Sequence, residues 1–299
     1  MKLPDISIVI CNYNTSKILK NTLSSIYRNT RNISFEIIVV DDGSTDNSVE
    51  IINKYFPKIK AIRNIKNLGY SKSCNIGTKL AKGRYILQLN SDVNFTKDTS
   101  INLLIDFMNN NRNVGICGCK IIRHDGSSDL PCKHAIPTLK NSFFQPFGLY
   151  KLFPKIKSIN YYMTYLSDNE PAKVGGLGAF MLIRKSLIEE IGYLDEQFFI
   201  YCEDTDYCYR AIKAGWDVYY FPKIQVKHMH GGTTSKFRLR ALFLFHKGIF
   251  LYYNKHYSNQ NFFLINLVVY AGILARLVLF MIVEFLRYLK GTLNKIKFL

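Results

Sequence analysis

The sequence predicts an α/β protein built on a parallel, doubly wound sheet, followed by a long apolar helix near the C-terminus. Three observations lead there. Between Ile6 and Asp92, short β-branched runs alternate with stretches of helical spacing, and each strand-like run ends on a polar cluster. The 299 residues are 48% hydrophobic and 14% aromatic with only eight prolines, which supports a large buried core and excludes a disordered or collagen-like chain.

Taken in order, residues 6–10 form an apolar strand and the spacing over 16–27 predicts a helix. Residues 35–40 read as a buried strand ending on Asp41-Asp42-Gly43, 46–55 as a helix, and 59–62 as a strand. A helix over 71–81 closes at Gly83, and a strand over 85–89 ends on Asn90-Ser91-Asp92. Residues 123–171 are punctuated by Pro and Lys with weak periodicity and read as loops bordering a substrate channel. Residues 173–183 then read as one apolar strand carrying Gly175, Gly176 and Gly178. A helical segment follows, then a short run over 198–201, a helix over 205–214 capped by Gly215, and a strand over 218–221.

The last segment, 262–283, would reach ~33 Å as a helix, enough for a bilayer. Its polar residues Asn266 and Arg276, with Glu284 and Arg287 beyond, fall within an arc of about 80° at helical spacing. Arg287, Lys290, Lys295 and Lys297 suit anionic headgroups on a cytoplasmic membrane face, and both a spanning and an in-plane helix fit this pattern. The organisation expected is 1–120, 121–255 and a membrane-associated 256–299.

Charge narrows the partners. The chain carries 40 Lys and Arg against 22 Asp and Glu, a formal +18, with a pI near 9.5. From Lys236 onward there are ten basic residues and one acidic residue, Glu284. Nucleic acid, anionic lipid and phosphate-bearing substrates all suit such a surface. Nucleic acid is set aside because no recognition-helix, RNP or zinc motif is present. A dinucleotide dehydrogenase is disfavoured because the turn Cys11-Asn12-Tyr13-Asn14 lacks GxGxxG. The first residues do not read as a secretory leader, and seven scattered cysteines without CxxC pairs suggest a reducing compartment.

In doubly wound sheets ligands sit outside the carboxyl ends of the strands, so the polar clusters should converge on one rim. Asp41 suits a nucleotide base or ribose and Asp92 suits Mg²⁺ or Mn²⁺ bridging phosphates, although helix capping accounts for each alone. Glu203, Asp204 and Asp206 open a helix at its positive end. Asp206 is spaced to pair with Arg210, which leaves Glu203 and Asp204 for a ligand, one of them as a general base. An ordinary acidic first turn is the competing reading. His228 and His230, just after the strand over 218–221, read equally as metal ligands or as polar surface residues.

The ordered blocks SIVICNYNT, VVDDGSTDNS, NLGYSKSCNIGTKLAKGRYILQLNSDV, GGLGAFMLIRKSLIEEIGYLDEQFFIYCEDTDYCYRAIKAGW and VKHMHGGTTS resemble the family 2 glycosyltransferases over roughly residues 5–255. The nearest likeness is to the rhamnosyltransferase-like bacterial members that build surface polysaccharide. The resemblance implies a GT-A fold with a Rossmann-like, doubly wound mixed sheet, a dTDP- or UDP-sugar donor, a saccharide acceptor that is lipid-linked, a divalent metal, and inversion at the anomeric carbon. By position it makes Asp204 the catalytic base. Asp92 and His228 become the metal ligands, with His230 as the rival histidine. Cys11, Tyr13, Asn14, Asp41, Asn67, Asn90, Gly176 and Glu203 become substrate contacts. It also implies work at the cytoplasmic face of the inner membrane. The alternative is an inactive sugar-nucleotide-binding subunit. Two departures leave the donor open: Cys74 stands where many members have Arg, and Ser91 replaces a frequent proline.

Overall fold

The computed structural model describes residues 3–229 and 238–296, with side chains to residue 288. Strands β1 (Ile6–Asn12), β2 (Phe35–Asp41), β3 (Lys60–Arg63) and β4 (Tyr85–Asn90) alternate with α1 (Ser16–Asn29), α2 (Ser48–Tyr55) and α3 (Tyr70–Leu80). The four strands pair in parallel in the order β3-β2-β1-β4. Ile8, Val9 and Ile10 are all fully buried because helices cover both faces of the sheet, which is why these strands read as continuous apolar runs. Helix α1 turns Leu19, Leu23 and Ile26 onto one face.

The second half adds β5 (Val93–Phe95), α4 (Ile101–Asn110), β6 (Val114–Ile122), β7 (Lys133–His134), α5 (Leu139–Phe144) and α6 (Leu149–Leu152). It continues through β8 (Ala172–Lys173), β9 (Gly176–Leu177), β10 (Phe180–Arg184), α7 (Lys185–Ile191), α8 (Glu203–Lys213), β11 (Asp217–His228), α9 (Arg238–His256) and α10 (Phe263–Ile296). One nine-stranded sheet runs β3-β2-β1-β4-β10-β6-β11-β5, with β8 on β11. Strand β10 is antiparallel to both β4 and β6, so the sheet is mixed.

Two expectations are corrected. The single strand expected over 173–183 is three short ones, because Gly176 leaves the main sheet to pair with His134. A Cβ at Gly176 would stand 2.2 Å from the His134 ring, so only glycine permits that approach. The short run over 198–201 is irregular. Tyr201 and Cys202 take φ of +71° and +67°, a reversal that leads into α8. The strand expected over 218–221 continues through an irregularity between Phe221 and Gln225, so His228 is its last residue rather than part of a following loop. His230 lies outside the described residues.

Helices α9 and α10 form a hairpin against the sheet domain. Tyr253 donates to Asn266 at 2.7 Å, Tyr270 to Asn254 at 3.0 Å and Arg238 to Glu284 at 2.9 Å. The polar stripe anticipated on α10 therefore faces the protein, and Arg287 joins it through Glu284 at 3.4 Å. The opposite face is apolar and exposed, including Leu264, Leu267, Val268, Leu274 and Leu279. The segment Phe263–Tyr288 is long and apolar enough to cross a membrane by length and composition.

Candidate active site

The carboxyl ends of β1, β2 and β4, the end of β11 and the start of α8 open onto one cavity of about 630 Å³, within the usual size of small-molecule sites. Cys11, Tyr13, Asn67, Asn90, Asp92, Glu203, Asp204 and His228 line it. Asn14, Asp41 and Gly176 do not. Asn14 accepts from the Thr45 backbone N–H at 2.8 Å and ties two loops together outside the cavity. The Asp41 carboxylate is buried, accepting from Asn12 Nδ2 and the Ser44 N–H, each at 3.0 Å. Its neighbour Asp42 takes the cavity position, since successive side chains point to opposite sides. Asp42 accepts from the Leu68 N–H at 2.8 Å and the Gly69 N–H at 3.0 Å, and so shapes the turn that presents Asn67. Gly69 has φ +91° and a Cβ there would meet the Phe199 carbonyl at 2.6 Å, so this turn is fastened to the segment before α8. At Gly176 the wall belongs instead to the His134 ring.

On one side of the cavity His228 bridges two carboxylates. Its Nε2 lies 3.1 Å from Asp92 Oδ1 and its Nδ1 lies 3.3 Å from Asp129 Oδ2. Burial opposes charge on this ring, but the hydrogen bonds to Asp129 and Asp92 outweigh it and raise the pKa to about 9. Asp129 also pairs with Arg123 at 3.2 Å. A histidine held through Nδ1 by a carboxylate, with Nε2 turned to a second carboxylate, is the orientation metal-binding histidines commonly have. Among the described residues no three His, Cys, Asp or Glu side chains gather as a self-sufficient metal cluster. One carboxylate oxygen and one imidazole nitrogen fit a divalent cation that takes its remaining ligands from phosphates and water.

Glu203 and Asp204 also line the cavity. Burial, then the neighbouring Asp204, drives the Glu203 carboxyl well above the usual range, and its Oε2 has no hydrogen-bond partner among the described residues. Asp204 is also raised by burial, against the lowering influence of His134. Its Oδ1 accepts from the Thr205 N–H at 2.6 Å and the Thr205 hydroxyl at 3.2 Å, which fixes the carboxylate at the helix start. His134 donates through Nδ1 to the Ala135 carbonyl at 2.9 Å, and its Nε2 stands 3.4 Å from the Thr205 hydroxyl oxygen. Asp206 is turned away and pairs with Arg210 at 2.9 Å, as its spacing predicts.

Sequence reasoning missed Asp129, His134, Gln145, Tyr161, Tyr162, Arg240 and Phe245, all of which line the cavity. The first five come from the stretch without periodicity, and Arg240 and Phe245 from α9, so only tertiary packing brings them here.

The model of glycosyl transferase family 2 matches residues 7–192. The chain belongs to glycosyl transferase family 2. This glycosyltransferase is 25% identical over 267 residues to the N-acetylglucosaminyl-diphospho-decaprenol L-rhamnosyltransferase of Mycobacterium tuberculosis, with 84% of each chain covered. It is 27% identical to the low-salt glycan biosynthesis hexosyltransferase Agl10 of Haloferax volcanii, covering 70% of this chain and 62% of that one. Among solved structures, the glycosyltransferase is similar in fold to residues 1–349 of S. aureus TarS. The TM-score is 0.52 at 19% identity, with 82% of this chain and 65% of that one covered. It is also similar to GalNAc-T7 with UDP, GalNAc and Mn²⁺, at TM-score 0.57 and 19% identity over 77% of this chain and 44% of that one. The fold of this glycosyltransferase is GT-A.

Proposed function

We propose that the protein transfers a sugar from a dTDP- or UDP-linked donor to a lipid-linked saccharide in cell-surface polysaccharide assembly, with inversion at the anomeric carbon. The observation that carries this reading is one cavity lined both by a raised, fixed carboxylate, Asp204, and by the Asp92–His228 pair. Asp204 takes the proton of an acceptor hydroxyl, and a raised pKa makes it a better base near neutrality than an ordinary carboxylate. The hydroxyl oxygen bonds to the anomeric carbon as the bond to the diphosphate breaks, and the nucleoside diphosphate leaves with that electron pair. Asp92 and His228 would hold Mg²⁺ or Mn²⁺, which when bound neutralises charge on the leaving diphosphate. Asn67, Asn90, Cys11 and Tyr13 serve the donor and residues 121–255 the acceptor. Asp41 and Asn14 act by shaping the donor loops, and Gly176 by seating His134.

The test is thermal unfolding of the purified protein with UDP, dTDP and their sugars, in Mn²⁺, Mg²⁺ or EDTA, because a ligand of the native state alone raises its stability. A metal-dependent rise selective for one nucleotide is expected. Asp92→Ala should remove the metal-dependent part and weaken donor affinity at least tenfold. Affinity indifferent to both metal and this substitution would refute the metal site.

We infer further that α10 lies in the plane of the cytoplasmic membrane face. Its contacts with the protein run from Asn266 to Glu284, ~27 Å along the helix, and its outer apolar face is free for lipid. A chain lacking residues 262–299 should move from the membrane to the soluble fraction, and unchanged fractionation would refute the anchor.

A further inference from the structure

Arg276 is a cation in the middle of an apolar helix, yet it does not face outward. Its Nη2 donates to Gln145 Oε1 at 3.3 Å, and Gln145 Nε2 donates to the Tyr162 hydroxyl at 2.6 Å. The guanidinium lies 5.7 Å from the Phe245 ring centre and 5.5 Å from that of Phe280. Its Nε is buried without a hydrogen-bond partner, and no ion pair among the described residues includes it. A half-buried guanidinium met only by an amide and aromatic rings, with its Nε wholly buried and unpartnered, keeps a donor in place for an anion. Gln145, Tyr162 and Phe245 line the cavity that holds Asp204, so such an anion would share the cavity with the acceptor.

We propose that Arg276, with Gln145 and Tyr162, forms a subsite for the diphosphate of a lipid-linked acceptor, where the end of α5 meets α10. This rests on the reading of the acceptor as lipid-linked and adds where its charged group is held. The planar guanidinium matches phosphate oxygens two at a time. The surroundings fit a lipid: Phe143, Phe147, Leu152 and Phe153 from the α5–α6 segment are exposed, as is the apolar face of α10, and Lys151 and Lys155 lie among them. A nucleotide donor needs no apolar flank, and its diphosphate has its own place beside Asp92 and His228. Gln145 and Tyr162 line the same cavity as Asp204, so a saccharide joined to the diphosphate would extend through that cavity toward the base.

The test measures binding of farnesyl diphosphate and of farnesol to the full chain in detergent, binding to phosphatidylglycerol vesicles, and binding of UDP and dTDP sugars with Mn²⁺. Farnesyl diphosphate is expected to bind at least tenfold more tightly than farnesol. Arg276→Gln should erase that difference, Arg276→Lys should keep part of it, and nucleotide-sugar affinity should stay unchanged. Gln145→Glu sets a carboxylate beside Arg276 and should weaken farnesyl diphosphate binding tenfold while raising the melting temperature, which covers the case in which Arg276→Gln does not fold. Equal farnesyl diphosphate affinity in wild type, Arg276→Gln and Gln145→Glu overturns the subsite. Loss confined to phosphatidylglycerol vesicles overturns it in favour of bulk phospholipid. Wild-type protein that binds no nucleotide sugar overturns the transferase reading, and with it the acceptor role, by a separate measurement.

Discussion

Asp204→Asn should lower sugar transfer about a thousandfold or more, while donor affinity stays within about twofold. The substitution preserves shape and leaves an oxygen to accept from the Thr205 N–H, so the helix start is kept and only the capacity to take a proton is lost. The nucleotide loops at β1, β2 and β4 are untouched. Steady-state rates with radiolabelled donor, together with donor binding, separate the two effects, and turnover like wild type would refute the base assignment. The wild-type enzyme should lose activity as pH falls through a window above the ordinary carboxylate range, because burial raises Asp204 and its protonated form cannot act as base. The Asn variant should show no such limb in its residual rate.

Asp206→Ala should cost about 3–5 kcal/mol of stability, the usual penalty for breaking a buried ion pair from one side. Asp206 is fully buried and receives Arg210 at 2.9 Å, Lys255 at 2.8 Å and His256 at 2.7 Å. Burial alone would raise its carboxyl, but the hydrogen bonds from His256 and Lys255, with Arg210, pull it down to about 2. A carboxyl whose folded pKa lies below its unfolded value of about 4 stabilises the native state above the unfolded pKa, and loses that contribution as pH falls through the folded one. The variant's deficit in denaturant unfolding should therefore be full at pH 7 and shrink between about pH 4 and 2. A deficit below about 1 kcal/mol at pH 7 would mean that Arg210, Lys255 and His256 find other partners.

The βα rhythm of the first half was legible because strands buried on both faces read as unbroken apolar runs and each ends on residues too polar for a core. Asp92 and Asp204 stood out for the same reason, as polar chemistry at element ends, whereas His228 was singled out by the family resemblance, and all three line one cavity. The choice between Asp41 and Asp42 was not, since it turns on which side of β2 each side chain takes. Asp129, Gln145, Tyr161 and Tyr162 belong to a stretch whose conformation is set by what it packs against, and no local period betrays them. Strand β6 escaped notice although Val114, Ile116 and Cys117 are buried, because its glycines at 115 and 118 interrupt the apolar run. The polar stripe of α10 was visible at helical spacing, but its direction needed α9 as a partner.

The clamp at Asp206 sits two residues beyond Asp204, on the same first turn of α8. It grips α9, which in turn carries α10. The chain of custody from the apolar face of α10 to the Asp204 carboxylate is thus two packed helices and one helical turn. Were α10 to lie in a membrane surface, as proposed, the reaction would be held at one altitude above the lipid. Acceptors would then be ranked by stature: a sugar whose hydroxyl stands at that altitude would be extended, and a longer or shorter one would overshoot or fall short.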